Sequence, residues 1–515
     1  MAQIFRPPTT QRIYDVCIIG SQLGGALAGA LLARRGYRVL HVDHDGLGMG
    51  YEDGGYVLPY APSILPPLRL LPSADAALRE LGLAADTLRA LEPCAPGLQI
   101  LLPRHRVDIF HDAPRRLIEL KREWPSEANL LEAGLSRLTR LFEATSPFMQ
   151  SMPPLPPNGF GDRRAVGRAI RFATSVPGSP GFSLREGDAF DGLSDHPFVS
   201  ALAIAQRFLG YLDGNDVAPL AAARLSGGIL HGSFILPGGQ LGLREVIRHK
   251  IVESRGEVML DSEAATARQL EVESGKIAAV RLSGSNNAWV ARVFIAATDA
   301  LALKRLLPPE ESSGKMAQLL ETVHPEWQLL AINLVVKKEA LPPALGRNAL
   351  VLRKAEGSYA VDNAVLVQVA PARRDKGKGA TELIPDERVL CAAGFVPADA
   401  RDRGDEHLAA IGRQIRETVE DAVPFFERHL LRESIPALRA PREHRGSRLL
   451  PHPLYLIDLD KTLGVTGLPC RSPYRNLVFA SREVIPGLGL EGEFHAGLQA
   501  SAAAQELLGR KDLLR

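Results

Sequence analysis

Gly20, Gly24 and Gly25 stand close together in the stretch YDVCIIGSQLGGALAGALLARRGYRVLHVDHD, residues 14–45. An acid, Asp43, follows roughly 20 residues after the first glycine, the separation expected of a ribose-binding carboxylate. Glycines turn a chain sharply and let its backbone come close to a ligand. A helix that opens among them aims free N–H groups and a positive dipole end outward, which suits a pyrophosphate. A carboxylate at the end of the following strand can accept hydrogen bonds from both ribose hydroxyls. Gln22 takes the place of the middle glycine in G-x-G-x-x-G. With a dinucleotide bound, its side chain must turn away or give its amide to a phosphate oxygen. An acid rather than a base at position 43 favours FAD or NAD over NADP.

The elements needed to hold these residues are present in the same stretch. Val16, Ile18 and Ile19 begin a short apolar run of strand-forming residues. A helix-like run from Ala26 to Arg35 is closed by Gly36, and Arg38 to Val42 reads as a second strand. Strand, tight turn, helix and strand make the βαβ unit of a dinucleotide-binding fold.

Two later stretches repeat the theme. FILPGGQLGLREVIRHKIVESRGEVML, from Phe234, gives a Gly-Gly turn, an amphipathic helix and a strand. Residues 262–298 then alternate as a three-strand meander, with turns at Ser274-Gly275 and 284–287, ending on the apolar strand Val293 to Ala297. Near the end, Leu477 to Ala480 reads as a strand, Gly487 and Gly489 as a loop, and a helix opens at about Glu491-Gly492. Between these regions, Pro114 to Thr145 is helical with a break at Pro125, and Ile100 to Phe110 is a hairpin. SPFMQSMPPLPPNGFG cannot be a regular helix and reads as a loop or an apolar lip. Strands are expected at Tyr56–Leu58, Trp327–Val336, Ala364–Ala370 and Arg388–Phe395, with a solvated linker from Pro371 to Lys378.

A chain of 515 residues is too long for one core, so two or more domains are expected. A net charge of +2 gives no electrostatic case for nucleic acid. Cys17, Cys94, Cys391 and Cys470 are far apart without a C-x-x-C, which fits reduced thiols in a cytoplasmic protein. The first residues lack the apolar run of a signal peptide, and no spanning helix is expected, so any membrane contact should be peripheral. The 13 histidines show no metal-ligand spacing, and no nucleophile elbow occurs. No metal and no named catalytic residue are therefore expected. His231 and His495, the histidines nearest the inferred ligand, read as structural.

Taken in order, the three glycine-bearing stretches resemble the phytoene desaturase branch of the FAD-dependent family that also holds the flavin amine oxidases. The motifs are YDVCIIGSQLGGALAGALLARRGYRVLHVD, ILPGGQLGLREVIRHKIVESRGEVML with SGKIAAVRLSG and VFIAATDA, and NLVFASREVIPGLGLEGEFHAGLQASAAA. The resemblance implies an α/β fold: a discontinuous Rossmann-like FAD-binding domain plus a mixed-sheet, helix-containing substrate domain. It implies FAD-domain segments at 1–75, 229–315 and 456–515, and substrate-domain segments at 76–228 and 316–455. It implies that Gly20, Gln22, Gly24 and Gly25 lie at the pyrophosphate and Asp43 at the adenosine ribose. Ala264 or Ala265 would border the adenine. Ser481 and Arg482 replace the Gly-acid pair of many relatives, and Gly489, Leu490 and Gly492 would approach the flavin ring. The implied activity is FAD-dependent desaturation, saturation or isomerisation of an apolar isoprenoid or polyene substrate. Two alternatives share the fold: a flavin amine oxidase, and a non-catalytic lipid or prenyl carrier similar to Rab GDP dissociation inhibitors. PGLGLEG, in place of the aromatic segment usual in amine oxidases, speaks against the first.

Overall fold

The computed structural model describes residues 13–509 apart from 44, 46, 177–188, 191, 214–218, 260–264, 284–287, 356, 378–380, 440–449 and 462. One sheet is parallel and built from five remote strands: β1 (Tyr14–Ile19), β2 (Val39–Val42), β3 (Glu257–Val258), β4 (Ala291–Ala296) and β5 (Leu477–Phe479), in the order β5-β4-β1-β2-β3. Every residue of β1 is buried, as expected of a central parallel strand covered on both faces.

Six helices matter for the site: α1 (Leu23–Arg34), α2 (Ala128–Gln150), α3 (Phe160–Ser175), α4 (Pro219–Leu230), α5 (Gly239–Glu253) and α6 (Gly489–Leu508). Helix α1, LGGALAGALLAR, is buried over nearly its whole length between α5 and α6. Small residues make that possible. A Cβ on Gly25 would lie 2.1 Å from the Ala297 Cβ, and one on Gly24 would lie 2.3 Å from the Ala480 carbonyl oxygen. On α6, a Cβ at Gly497 would lie 2.7 Å from the Gly24 oxygen. The glycines thus set the spacing of helix on sheet and helix on helix.

The second sheet is large and mixed. Its main path runs Leu430–Ser434, Val323–Lys337, Thr381–Pro397, Ala364–Asp375, Asn348–Leu352, Leu98–Leu102 and His105–Ile109. All neighbours on that path are antiparallel except Asn348–Leu352 with Leu98–Leu102. A separate meander, Ala267–Glu273, Lys276–Leu282 and Ala288–Trp289, follows the turn at Ser274-Gly275.

Three expectations need correction. Helix α2 continues through Pro147 to Gln150, well into the proline-rich stretch. Ser151 caps it by donating to the Pro147 and Phe148 carbonyl oxygens, which, with the burial of Phe148 and Met149, offsets the lost bond and ring crowding of Pro147. Pro371 to Asp375 belongs to a strand rather than a loop, because its backbone pairs with Thr381 to Arg388. Helix α6 opens at Gly489, ahead of Glu491, where a φ of +53° sets the turn into it.

Gly25→Ala should lower stability by about 1–3 kcal/mol, the usual range for overpacking a tight contact. Gly167→Ala, on α3 with only the end of Arg171 within 4 Å of the new Cβ, should be neutral or gain up to about 1 kcal/mol in helix propensity. Urea unfolding of both variants and the parent checks the pair, and equal midpoints for all three would contradict the packing argument.

Candidate cofactor and substrate cleft

Three loops meet at the carboxyl edge of the parallel sheet: the turn after β1, the Ala297–Asp299 segment after β4 and the Ala480–Glu483 segment after β5. Gln22 joins them. Its Nε2 donates to Asp299 Oδ1 at 2.7 Å, its Oε1 accepts from the Arg482 backbone N–H at 2.7 Å, and its own N–H donates to the Ala297 oxygen at 3.0 Å. The residue is buried. Asp299 also accepts from the Tyr455 hydroxyl at 2.6 Å. Both oxygens of Glu483 accept from the Ala300 N–H at 2.9 Å. Burial and the neighbouring Asp299 carboxylate push the Glu483 pKa well above the carboxylate range.

At the other end of the turn, Asp43 has a φ of +59°. Its Oδ1 accepts from the Ala267 N–H at 2.9 Å, and its own N–H donates to the Ala265 oxygen at 2.9 Å. Ala265 is buried, and Ala264 lies outside the described residues. Arg244 of α5 closes the neighbouring space. It donates to both Asp45 oxygens, at 2.6 and 3.1 Å, and to the carbonyl oxygens of Ser21 and Leu47, at 3.1 and 2.6 Å. Ser21 Oγ donates to the same carboxylate at 2.9 Å.

The far end opens into a cavity of about 930 Å³, its mouth included. Its apolar wall includes Ile64, Phe208, Leu225, Ile229 and Leu490. Arg482, Tyr211, His452 and Glu491 supply polar groups. Arg224 of α4 pairs with Glu491 through two bonds, at 2.6 and 2.7 Å, with both side chains buried. The same guanidinium donates to the Phe142 oxygen at 2.9 Å and Ser146 Oγ at 3.0 Å. A buried pair this fully bonded repays much of its desolvation and clamps the start of α6 onto α4. Arg482 lies with its guanidinium carbon 5.1 Å from the Tyr211 ring centre. Burial disfavours its charge, but Glu493, Tyr211, Tyr455 and Asp299 outweigh that and raise its pKa.

Of the residues singled out from sequence, Gly20, Gln22, Gly24, Gly25, Ser481 and Arg482 meet at one point of the sheet edge. Leu490 lines the cavity, Gly489 and Gly492 lie beside it in the first turn of α6, and Asp43 and Ala265 lie at the opposite end. The glycines face protein at short range: a Cβ on Gly20 would lie 2.3 Å from the Ala297 oxygen, one on Gly489 2.0 Å from the Leu209 oxygen, and one on Gly492 2.2 Å from the Ile485 oxygen. Sequence reading missed Tyr211, Arg224, Arg244, His452 and Asp299 as parts of the cleft. Arg224 and Arg244 sit in otherwise apolar or glycine-rich helical stretches, PLAAARLSGGIL and GGQLGLREV, where an isolated arginine signals a buried partner. Among the described residues, no cluster of three or more His, Cys, Asp or Glu could hold a metal ion.

Residues 18–81 match the model of the NAD(P)-binding Rossmann-like domain. A comparison with curated proteins finds no match. Cyclohexylamine oxidase from Brevibacterium oxydans IH-35A superposes over 97% of this chain and 100% of its own, at 16% identity and a TM-score of 0.55. An oxidoreductase from Methanosarcina mazei does so over 94% and 99%, at 13% identity and a TM-score of 0.53. Putrescine oxidase does so over 97% and 100%, at 14% identity and a TM-score of 0.53. The fold is that of the flavin amine oxidases. It joins a Rossmann-like domain to a large mixed-sheet domain.

His452 and His495 give the region a pH dependence. His452 Nε2 donates to the Arg207 oxygen at 3.0 Å. His495 Nε2 donates to the Pro153 oxygen at 2.8 Å, so its Nδ1 accepts from Ser73 Oγ at 3.2 Å. Burial pushes both pKa values down to about 4, from 6.5 in the unfolded chain. Between pH 6.5 and 4 the unfolded state binds more protons at these rings, so stability falls as pH drops through that window. By pH 4.5 the loss should reach roughly 2–3 kcal/mol per ring. Urea unfolding of the parent and His495→Gln at pH 7 and pH 4.5 measures it: the variant should lose less on acidification, and identical losses would contradict the assignment.

Proposed function

We propose that this chain is an FAD-dependent oxidoreductase acting on an apolar substrate of the isoprenoid or polyene class, in a phytoene desaturase-like manner. The observation that carries the reading is the convergence of three remote glycine-bearing segments on one sheet edge, beside a cavity with apolar walls. The fold shared with oxidases supports it. On this reading the cavity walls hold the substrate and exclude water, while the Arg224–Glu491 clamp fixes the helix end beside it.

The fit of FAD itself depends on Gln22. In the conformation described, the Gln22 side chain crosses from the Asp299 segment to the Arg482 segment, bonded at both sides. While it does so, the turn that a dinucleotide's pyrophosphate would occupy on this reading is held by protein bonds. Cofactor loading on this reading requires Gln22 to leave Asp299 and Arg482. The same crossing favours a second reading, a non-catalytic carrier of an apolar or prenyl ligand on this fold.

Flavin content separates the two. The purified protein should release FAD on heating, and Gln22→Gly should bind added FAD at least tenfold more tightly than the parent in a fluorescence-quenching titration. That gain is about 1.4 kcal/mol. A colourless parent, with no binding by either form, would leave only the carrier.

A peripheral membrane contact is proposed on α3. Its outward face carries Phe160, 76% exposed, and Phe172, 50% exposed, among the exposed Arg163, Arg164, Arg168 and Arg171. Apolar rings flanked by cations suit the interface of an anionic bilayer. Among the described residues no helix is long and apolar enough to cross one. The protein should sediment with vesicles containing phosphatidylglycerol and not with pure phosphatidylcholine, and Arg163→Glu with Arg164→Glu should release it. Equal binding to both vesicle types would count against a charge-guided contact.

A further inference from the structure

The polar groups around the cavity are unequally supplied with partners. The Tyr211 hydroxyl lies 2.7 Å from Glu493 Oε1 and 2.8 Å from Gln240 Oε1. Glu491 is taken by Arg224, and His452 Nε2 by the Arg207 oxygen. Arg482 is the exception. Its backbone N–H is held by Gln22, yet its Nε is buried without a hydrogen-bond partner, and the side chain forms part of the cavity wall. The residue as a whole is only partly buried and fronts the cavity, and a cation placed there without a carboxylate hydrogen-bonded to it calls for an oxygen acceptor.

The surrounding charge decides which kind. Glu493 on α6 and Asp299 after β4 both act on Arg482 electrostatically. Asp299 already accepts from Gln22 and Tyr455, and Glu493 lies against the Tyr211 hydroxyl. Arg224 and Glu491 neutralise one another. One cation beside two carboxylates leaves a net negative charge, so an arriving anion would meet repulsion in a low-dielectric site. A neutral oxygen acceptor meets none. The remaining wall, with Ile64, Phe208, Leu225 and Ile229, asks for an apolar body.

We propose that the cavity takes an apolar molecule ending in a neutral carbonyl oxygen, which accepts a hydrogen bond from the Arg482 guanidinium. The inference rests on the reading of this cavity as the substrate seat and is independent of flavin content. Isothermal titration of the full chain with 2-nonanone, 1-nonene and nonanoate tests it. The ketone should bind at least tenfold more tightly than the alkene and more tightly than the acid. Arg482→Met should remove the gap between ketone and alkene while leaving the alkene within about twofold. Should that variant fail to fold, the three ligands on the parent still decide. Equal affinity for ketone and alkene, tightest binding of nonanoate, or no binding of any of the three would overturn the proposal. FAD release is measured on the same preparation, so a colourless protein that prefers the ketone loses the redox reading and keeps this one.

Discussion

The structure of the cleft depends on one side-chain amide. Gln22 uses its donor on Asp299 and its acceptor on Arg482, joining three crossover loops that are 277 and 460 residues apart from it in sequence. A glycine there would leave the Arg482 N–H and an Asp299 oxygen to find other partners. An anion lying in the turn would compete for the first and be repelled by the second. Gln22 therefore acts as a stand-in for a bridging ligand, neutral and permanently attached.

Buried charge is handled around it by pairing. Arg224 with Glu491, and Arg244 with Asp45, are each bound through two nitrogens and further supplied with carbonyl oxygens. Removing one partner from such a pair leaves an uncompensated charge, which makes these positions intolerant of change. Arg224 reaches the first turn of α6 and Arg244 the loop after β2, each from a helix remote in sequence. The pairs thus fix how distant parts of the chain sit against one another.

Much of this was legible in the sequence, and unevenly. The βαβ unit was plain because β1, the glycine turn and α1 are local and their pattern is strict. The later strands Val323–Lys337 and Thr381–Pro397 were seen in part, since a continuous apolar run marks only their buried halves. The strand extension at Pro371 to Asp375 was missed because its residues are charged and its strand character comes only from its partner. Helix α2 overran its expected end because local caps and packing outweighed one proline. In the cleft, the glycine turns were visible as local patterns, but no local signal shows which side chains cross a gap. The bonds of Gln22 and Arg244 are properties of tertiary distance.

The strand order has a consequence for how the molecule is made. In the parallel sheet, β4 sits between β1 and β5, and β5 begins only at Leu477. During synthesis, one edge of β4 and the face of α1 that receives α6 stay bare until residues 477–508 leave the ribosome. Unpaired strand edges and uncovered apolar helix faces are the features that draw nascent chains into wrong associations. The βαβ unit is therefore translated long before its sheet is finished, and a chain truncated before α6 would carry a complete fingerprint on an open, sticky sheet.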